Sequence, residues 1–203
     1  MTFTAITNKA LCRSTTAMAL SLPLLACACL PKQSPADMPF RTGTIEHHEN
    51  GQMRKARLYE ATEIDGLLVD HWTHFHENGR AKGLRLAEDQ ELLGVSIPRK
   101  TYLWFDEEGH VHSAWLAKDL EIQGVQCNGG PGKIATYFHP NGRLKTVFLV
   151  DDALIQGVPC RASVFHPVCL DTEGRLTETT LSEAARVQGK SYDRGDRVKL
   201  RYD

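Results

Sequence analysis

Histidine is the first residue type in this chain that could do chemistry, because nine histidines occur and several recur at fixed spacing. His74 and His76 are two residues apart, so on a strand their side chains share a face. A zinc ion needs its ligands at about 2.1 Å around one centre. With help from His71 or His48, this pair could supply such a centre. One alternative for the chain is therefore a metal-dependent hydrolase that uses His71, His74 and His76.

A second set of histidines forms a column and not a cluster. His48, His76 and His139 each lie three residues before a recurring glycine. If each recurring unit supplies two strands, neighbouring members of the column lie about 9–10 Å apart, at roughly 4.8 Å per strand. One ion cannot bind ligands that far apart, so these histidines are interpreted as solvated residues beside turns. No metal and no cofactor is predicted.

The cysteines predict processing and packing more than catalysis. Cys27 ends the stretch Leu24-Leu25-Ala26-Cys27, which has the pattern of a bacterial lipobox, whose cysteine is acylated before cleavage. Cys160 and Cys169 flank a short connection and are predicted to form a disulfide, because export places them in an oxidising compartment. The alternative is three buried thiols, Cys127 included, since cysteine packs like a small hydrophobe.

No other pattern predicts a reaction. Residues 129–133 look like a phosphate loop, but Ile134 stands where a P-loop has Ser or Thr. Paired carboxylates, a catalytic triad and a cofactor motif do not occur in the sequence. The chain is therefore predicted not to be an enzyme. Aromatic residues recur near the starts of units, and on a rigid sheet they would form a contact surface for protein or glycan; they are Trp72, Trp104, Trp115, Phe75, Phe105 and Phe138.

These residues are carried by a unit that occurs five times, each copy marked by two glycines fifteen residues apart. Counted from the first glycine, the second residue is apolar, the seventh is leucine and the thirteenth is aliphatic in every unit. Repetition at several fixed offsets indicates one supersecondary unit repeated along the chain. The paired turn glycines are Gly51 and Gly66, Gly79 and Gly94, Gly109 and Gly124, Gly142 and Gly157, and Gly174 and Gly189.

The unit is predicted to be β. Asn-Gly at 50–51, 78–79 and 141–142 is typical of hairpin turns, and the flanking runs are rich in strand formers. Polar pairs such as Glu88-Asp89 indicate a second turn, and alternation breaks between the second and fifth positions after the first turn, where a bulge would fit. Leu181–Val187 could form a helical turn by propensity, but the register of the repeat assigns it to a turn. The predicted fold is an all-β, open antiparallel meander of about five hairpin units in an elongated single-layer sheet.

The repeat resembles the MORN-like repeat, in the variant typical of bacterial antitoxin-component proteins. The matching residues are Phe138, Asn141, Gly142, Leu144, Ile155 and Gly157. The resemblance covers about residues 45–200, although these units are longer and add a recurring Gly-Val-x-Cys. It implies an open sheet of stacked hairpins and little about activity, because such repeats serve many scaffolding and binding roles.

The N-terminal region predicts where in the cell the protein is located. Residues 1–26 have basic residues and a short apolar core, which is typical of a lipoprotein signal peptide. Residues 27–41, from the lipidated Cys27 through a proline-rich stretch, are predicted to tether the repeat domain, 42–203, to the membrane. Ala28 after the cysteine favours the outer membrane. The alternative is an ordinary cleaved signal with incidental cysteines.

Charge and architecture together favour binding to another protein. The chain has 24 Lys and Arg against 25 Asp and Glu, so nothing in the balance attracts a nucleic acid. The predicted function is a non-enzymatic, lipid-anchored envelope protein whose sheet surface contacts an envelope partner. The alternatives are the hydrolase above and a protein that gives immunity to an incoming toxin.

Overall fold

The computed structural model describes residues 38–132 and 134–202. The predicted signal peptide, 1–26, and the predicted lipidation site, Cys27, lie outside the described residues. Among the residues described, no helix is long and apolar enough to cross a membrane.

The described chain folds into short β-strands. In chain order they are β1 (Glu46–His47), β2 (Met53–Arg57), β3 (Thr62–Ile64), β4 (Leu67–Phe75), β5 (Ala81–Leu86), β6 (Gln90–Leu92), β7 (Val95–Ile97), β8 (Tyr102–Phe105), β9 (Val111–Trp115), β10 (Leu120–Ile122), β11 (Val125–Cys127), β12 (Thr136–Phe138), β13 (Leu144–Val147), β14 (Ala153–Ile155), β15 (Val158–Cys160), β16 (Val168–Leu170), β17 (Leu176–Thr180), β18 (Ala185–Val187), β19 (Lys190–Tyr192) and β20 (Arg197–Lys199).

Most strands belong to one open antiparallel sheet, which we call the main sheet. Its order is β1-β2-β4-β5-β8-β9-β12-β13-β16-β17-β20, and β3 pairs with β4. The remaining strands form separate two-stranded units, β6-β7, β10-β11, β14-β15 and β18-β19, which we call the short hairpins. The predicted all-β open meander of hairpin units is confirmed. At about 4.8 Å per strand, the strands of the main path span roughly 48 Å.

The first turn of each unit is a type I turn closed by a glycine bulge. In the second unit Gly79 N–H donates to His76 O at 3.0 Å, and His76 N–H donates to Arg80 O at 2.9 Å. Gly79 has φ +82°, whereas Asn78 keeps a negative φ and its Oδ1 accepts from Arg80 N–H at 3.0 Å. Asn78 Nδ2 also donates to Glu107 O at 3.0 Å, so the asparagine joins its turn to the turn of the next unit.

A β-bulge follows every first turn. Phe75 is paired with Ala81 and His74 with Gly83, so Lys82 is an extra residue on the second strand. The same shift follows the other first turns, where the extra residues are Arg54, His112, Lys145 and Thr177. A bulge adds one residue and re-aims the side chains after it. This explains the break in alternation that the sequence shows.

The second glycine lies in a tighter turn. Gln123 and Gly124 have φ of +51° and +78°, and Ile122 is paired with Val125, which defines a two-residue type I′ hairpin. The polar pairs such as Glu88-Asp89 lie earlier, at bends where the chain leaves the main sheet. All ten predicted turn glycines have positive φ, between 77° and 92°.

A glutamine at the tip of a short hairpin holds the next unit. Gln156 Nε2 donates to Gly174 O at 2.8 Å, and its Oε1 accepts from Leu176 N–H at 3.0 Å. Gln123 makes the same pair of bonds to Gly142 O and Leu144 N–H. We call this bidentate contact the glutamine clamp. It fixes each hairpin tip beside the first turn of the following unit.

The core lies between the main sheet and the short hairpins. The base of the hairpin β10-β11 pairs with the residues after β13 through the bridge Cys127–Leu149. Its tip contacts the first turn of the same unit, at Gly142, through the glutamine clamp. Each hairpin therefore lies across the inner face of the following unit. Fully buried side chains come from both layers, including Leu84, Leu103 and Leu116 of the main-sheet side and Ile97 and Ile122 of the hairpins.

Both ends of the sheet are closed by chain segments. Phe40 bridges to Leu58, and its ring meets Phe75 edge-on at 6.1 Å, so residues 38–41 belong to the folded domain. The last residues of the predicted tether, 38–41, therefore pack against the repeat domain, where Phe40 contacts the core. At the other edge β20 pairs with β17, and only Val198 of β20 is buried. Leu181–Val187 forms a bend and a hairpin strand, which confirms the register of the repeat.

Candidate functional site

The candidate site is the outer face of the main sheet, the face turned away from the short hairpins. Directly opposed residues on neighbouring strands share a face, so the register defines one continuous outward row. Across the sheet this row contains Lys55, His74, Gly83, Trp104, Ser113, Tyr137, Thr146, Cys169, Glu178 and Lys199. The first half of the row contains the basic and aromatic residues Lys55, His74 and Trp104. The second half contains Tyr137, two small residues and the ion pair between Glu178 and Lys199.

Trp104 lies against the backbone of Gly83. A Cβ atom at Gly83 would lie 2.5 Å from Cζ3 of Trp104, so only glycine leaves room for the indole ring. The ring also meets His74, with centroids 5.3 Å apart, and Trp115, 5.9 Å away and nearly edge-on. These contacts hold a large side chain in one orientation, which is what a preformed binding surface requires.

Neighbouring rings extend this surface along β4, β8 and β9. Tyr102 meets Trp115 at 6.2 Å, and its hydroxyl lies 2.9 Å from Nδ1 of His71. Lys55 Nζ lies 4.2 Å from the centroid of the Trp72 ring, a cation–π contact. We call this set the aromatic face; its members are Trp72, His74, Tyr102, Trp104, Trp115 and Tyr137.

A groove of about 390 Å³ opens at the N-terminal side of the aromatic face. Trp104 and His74 line it together with three basic residues, Arg54, Lys55 and Lys82, and one acid, Glu46. Glu46 is paired with both Arg54 and Lys55, so the side chains of the groove keep a positive excess. Burial, followed by the charges of Lys55 and Lys82, lowers the pKa of His74 from its usual 6.5. His74 is therefore neutral at neutral pH, and the positive charge in the groove comes from the lysines and the arginine.

One polar atom of the groove residues is buried without a partner. The Nε1 atom of Trp104 is inaccessible to solvent and makes no hydrogen bond to the described part of the chain. Such a group normally finds an acceptor, because an unpaired buried donor costs about 1–3 kcal/mol. The sequence identifies Trp104 as a recurring aromatic residue. It does not show that Gly83 makes room for the indole, because that contact depends on the pairing of β5 with β8.

The histidines of the hydrolase alternative do not converge. His71 contacts Tyr102 on the outer face, His74 packs on Trp104, and Nε2 of His76 donates to Phe105 O at 3.0 Å. Each imidazole has a different neighbour, and these three do not form a metal-binding group among the described residues. This arrangement does not support the alternative of a His71, His74 and His76 metal centre.

The histidine column has a structural role. Nε2 of His48 donates to Phe75 O at 3.0 Å, and Nε2 of His139 donates to Leu170 O at 3.0 Å, as His76 does to Phe105. Each imidazole therefore bonds the strand end of the next unit. The interpretation of these residues as merely solvated is wrong, because the bond joins neighbouring units and half-buries the ring.

Aspartate replaces the column histidine in the third unit and caps its own turn. Asp106 accepts from His110 N–H at 2.8 Å and from His110 Nδ1 at 3.0 Å. Burial raises the pKa of Asp106, but these hydrogen bonds outweigh it and the pKa lies below its usual 3.8. With Glu108 these residues are the one described group compact enough to hold an ion, although exposed acidic groups are common without one.

The three cysteines among the described residues are free thiols. Cys127 and Cys160 point into the core, whereas Cys169 lies in the outward row, so the predicted Cys160–Cys169 disulfide is contradicted by the structure. The physical reason is that Cys160 belongs to the hairpin β14-β15 and faces the core, whereas Cys169 lies on the outer face of the main sheet. Burial raises the pKa of Cys127 to about 12, which keeps it protonated and poorly nucleophilic.

Comparison with known proteins gives little. No family model matches the chain, and no curated protein matches it. A solved structure described as "ASR Alternansucrase in complex with isomaltononaose" matches with 17% identity over 76% of this chain and 13% of that chain. Its TM-score of 0.16 is too low to support an argument about fold or ligand. The case for function therefore depends on the geometry of the outer face.

Proposed function

We propose that the chain is a non-enzymatic, lipid-anchored protein of the cell envelope that binds another envelope protein through the aromatic face. The observation that carries the proposal is the indole of Trp104, held in one orientation by Gly83, His74 and Trp115 at the centre of an outward row. Tryptophan, tyrosine and arginine are the residues most enriched where proteins bind each other.

The described residues also supply reasons against catalysis. The buried thiol of Cys127 is protonated, and the histidines selected for metal binding have separate partners. Repetition supports a scaffold, because a stack of like units makes an extended surface and no single cleft. The MORN-like pattern of the unit is in keeping with such a role.

Photo-crosslinking in intact cells tests the binding face. A photoreactive residue at Tyr137, on the outer face and 37% exposed, is compared with one at Leu154, which is 73% exposed on a short hairpin. We expect a discrete protein adduct from Tyr137 and little from Leu154. Adducts from Leu154 alone, or none from either position, would contradict the proposal.

Anchoring needs its own test, because it depends on residues outside the described part of the chain. Cys27→Ser removes the acylated sulfur and should release the protein from membrane pellets into the soluble fraction. Acyl chains contribute roughly 0.8 kcal/mol per buried methylene, so their loss removes the anchor. A Cys27→Ser variant that still pellets with membranes would show that the lipobox prediction is wrong.

A further inference from the structure

We infer that the partner binds through an acidic protein segment whose carboxylates lie in the groove between Lys55, Lys82 and Arg54. This inference rests on the proposed function and adds the chemistry of the partner.

The near-zero charge of the chain conceals two faces of opposite sign. On the outer face Arg57, Lys82 and Lys145 form no ion pair with the described residues. The acids of this face are already paired: Glu46 with Arg54 and Lys55, Asp70 with Arg85, and Glu178 with Arg197 and Lys199. The surplus charge on this face is therefore positive.

The opposite surface is acidic. Glu91 and Glu121 occupy the same position of the short hairpins β6-β7 and β10-β11, Glu63 occupies that position in β3 of the first unit, and all three are exposed. Acidic residues at the bends add to this layer, so negative charge concentrates away from the aromatic face. A cleft of one sign attracts the opposite charge and raises the rate of encounter. The separation favours an acidic partner at the outer face and disfavours one at the hairpins.

The groove has donors suited to carboxylates. Arg54, Lys55 and Lys82 line it beside Glu46, which is paired with Arg54 and Lys55, whereas Lys82 forms no ion pair with the described residues. A carboxylate that reaches these groups gains charge-assisted bonds, which are about twice as strong as neutral ones. The volume of about 390 Å³ fits one or two side chains and not a folded domain. An extended segment that places acidic side chains in the groove and aromatic or aliphatic ones beyond it matches this shape.

The tilt of the rings favours a protein over a glycan or a lipid surface. Trp104 and Trp115 are inclined at 67° and Tyr102 and Trp115 at 60°, so the rings form gaps for side chains and not a flat platform for stacked sugars. Among these aromatics Tyr137 is the most exposed, at 37%, so the aromatic face itself offers little to insert into a bilayer.

Charge reversal provides the test, with the full-length protein in detergent. Lys82→Glu with Lys145→Glu reverses two exposed charges of the outer face, and Lys118→Glu reverses an exposed lysine at a bend as the matched control. Binding of a labelled glutamate–tyrosine copolymer is measured by fluorescence anisotropy at low and high salt. Alginate and phosphatidylglycerol vesicles serve as the anionic glycan and lipid probes.

We expect the copolymer to bind, to bind more weakly at high salt, and to lose at least about tenfold in affinity in the double variant but not in the control. Equal binding by the double variant, no binding by the unaltered protein, or tighter binding of alginate or vesicles would overturn the inference. The Tyr137 crosslink separates this from the proposed function. If the adduct persists in the double variant, the inference of an acidic partner is refuted but the proposed binding face is not. If the unaltered protein gives no adduct, the proposed binding face itself is refuted.

Discussion

The glutamine clamp can be tested by one substitution, Gln156→Asn. The conformation of the turn and the hydrogen bonds of the clamp predict opposite changes in the free energy of unfolding. Gln156 stands first in a type I′ turn with φ +50°, and its side chain holds Gly174 O and Leu176 N–H. Asparagine tolerates this backbone conformation better than glutamine, and Asn-Gly is the favoured type I′ pair. Local turn chemistry therefore predicts that Gln156→Asn stabilises the protein.

The clamp predicts the reverse. Asparagine is shorter by one methylene, about 1.5 Å, so neither amide atom keeps hydrogen-bond distance. The first unit offers a natural comparison, because Asp65 occupies this position and its Oδ2 lies 3.4 Å from Ala81 N, against 3.0 Å from Gln156 Oε1 to Leu176 N. Two lost bonds at about 1 kcal/mol each exceed the few tenths gained in the turn, so we expect a net loss of about 1–2 kcal/mol.

Urea unfolding of the two proteins measures the difference, with Gln52→Asn at an exposed glutamine as the control. For a chain of this size the loss corresponds to a decrease of roughly 2–8 °C in the melting temperature. Unchanged or higher stability of Gln156→Asn would refute the claim that the clamp holds neighbouring units together.

Three further predictions concern single positions. Gly157→Ala meets no atom within 4 Å, so its cost of about 1–2 kcal/mol in unfolding free energy should come from φ +80° alone; a neutral result in urea would show that the turn tolerates a side chain. Gly83→Ala should displace the indole of Trp104, shift its fluorescence and weaken the Tyr137 crosslink, while stability falls by about 1–3 kcal/mol; an unshifted spectrum would contradict the contact. Because the pKa of His74 lies below 6.5 in the folded state, the unfolded chain takes up this proton first. Stability should therefore be complete above pH 6.5 and decrease as the pH falls from there towards the lowered pKa, and His74→Gln should flatten that part of the curve in urea titrations; an unaltered slope would exclude His74 as its source.

The sequence predicted those features that depend on local chemistry repeated at fixed offsets. The paired glycines lie in hairpin turns because each needs positive φ, and Leu181–Val187 follows the register against its helical propensity. The apolar offsets are buried because the period of the unit places them on one face. For these features, repetition itself was the evidence.

Features that depend on neighbours in space were missed. Glutamine stands fourteen residues after the first glycine in three units, as Gln123, Gln156 and Gln188, which is a signal that could have been noticed. Its meaning required knowing that the hairpin tip lies beside the first turn of the next unit. The disulfide between Cys160 and Cys169 failed for the same kind of reason, because chain proximity does not say which side of the sheet each thiol occupies.

The claim on which the whole account depends is that the units add side by side and present one continuous outer face. Spin labels carried by non-natural residues at Lys82 and Thr177, which leave the native thiols unlabelled, measure this directly by pulsed electron resonance. The residues are six strand spacings apart along the main sheet, so the account predicts a backbone separation of about 29 Å. A separation below about 20 Å would mean that the sheet closes on itself or that the units stack in another order, and would contradict it.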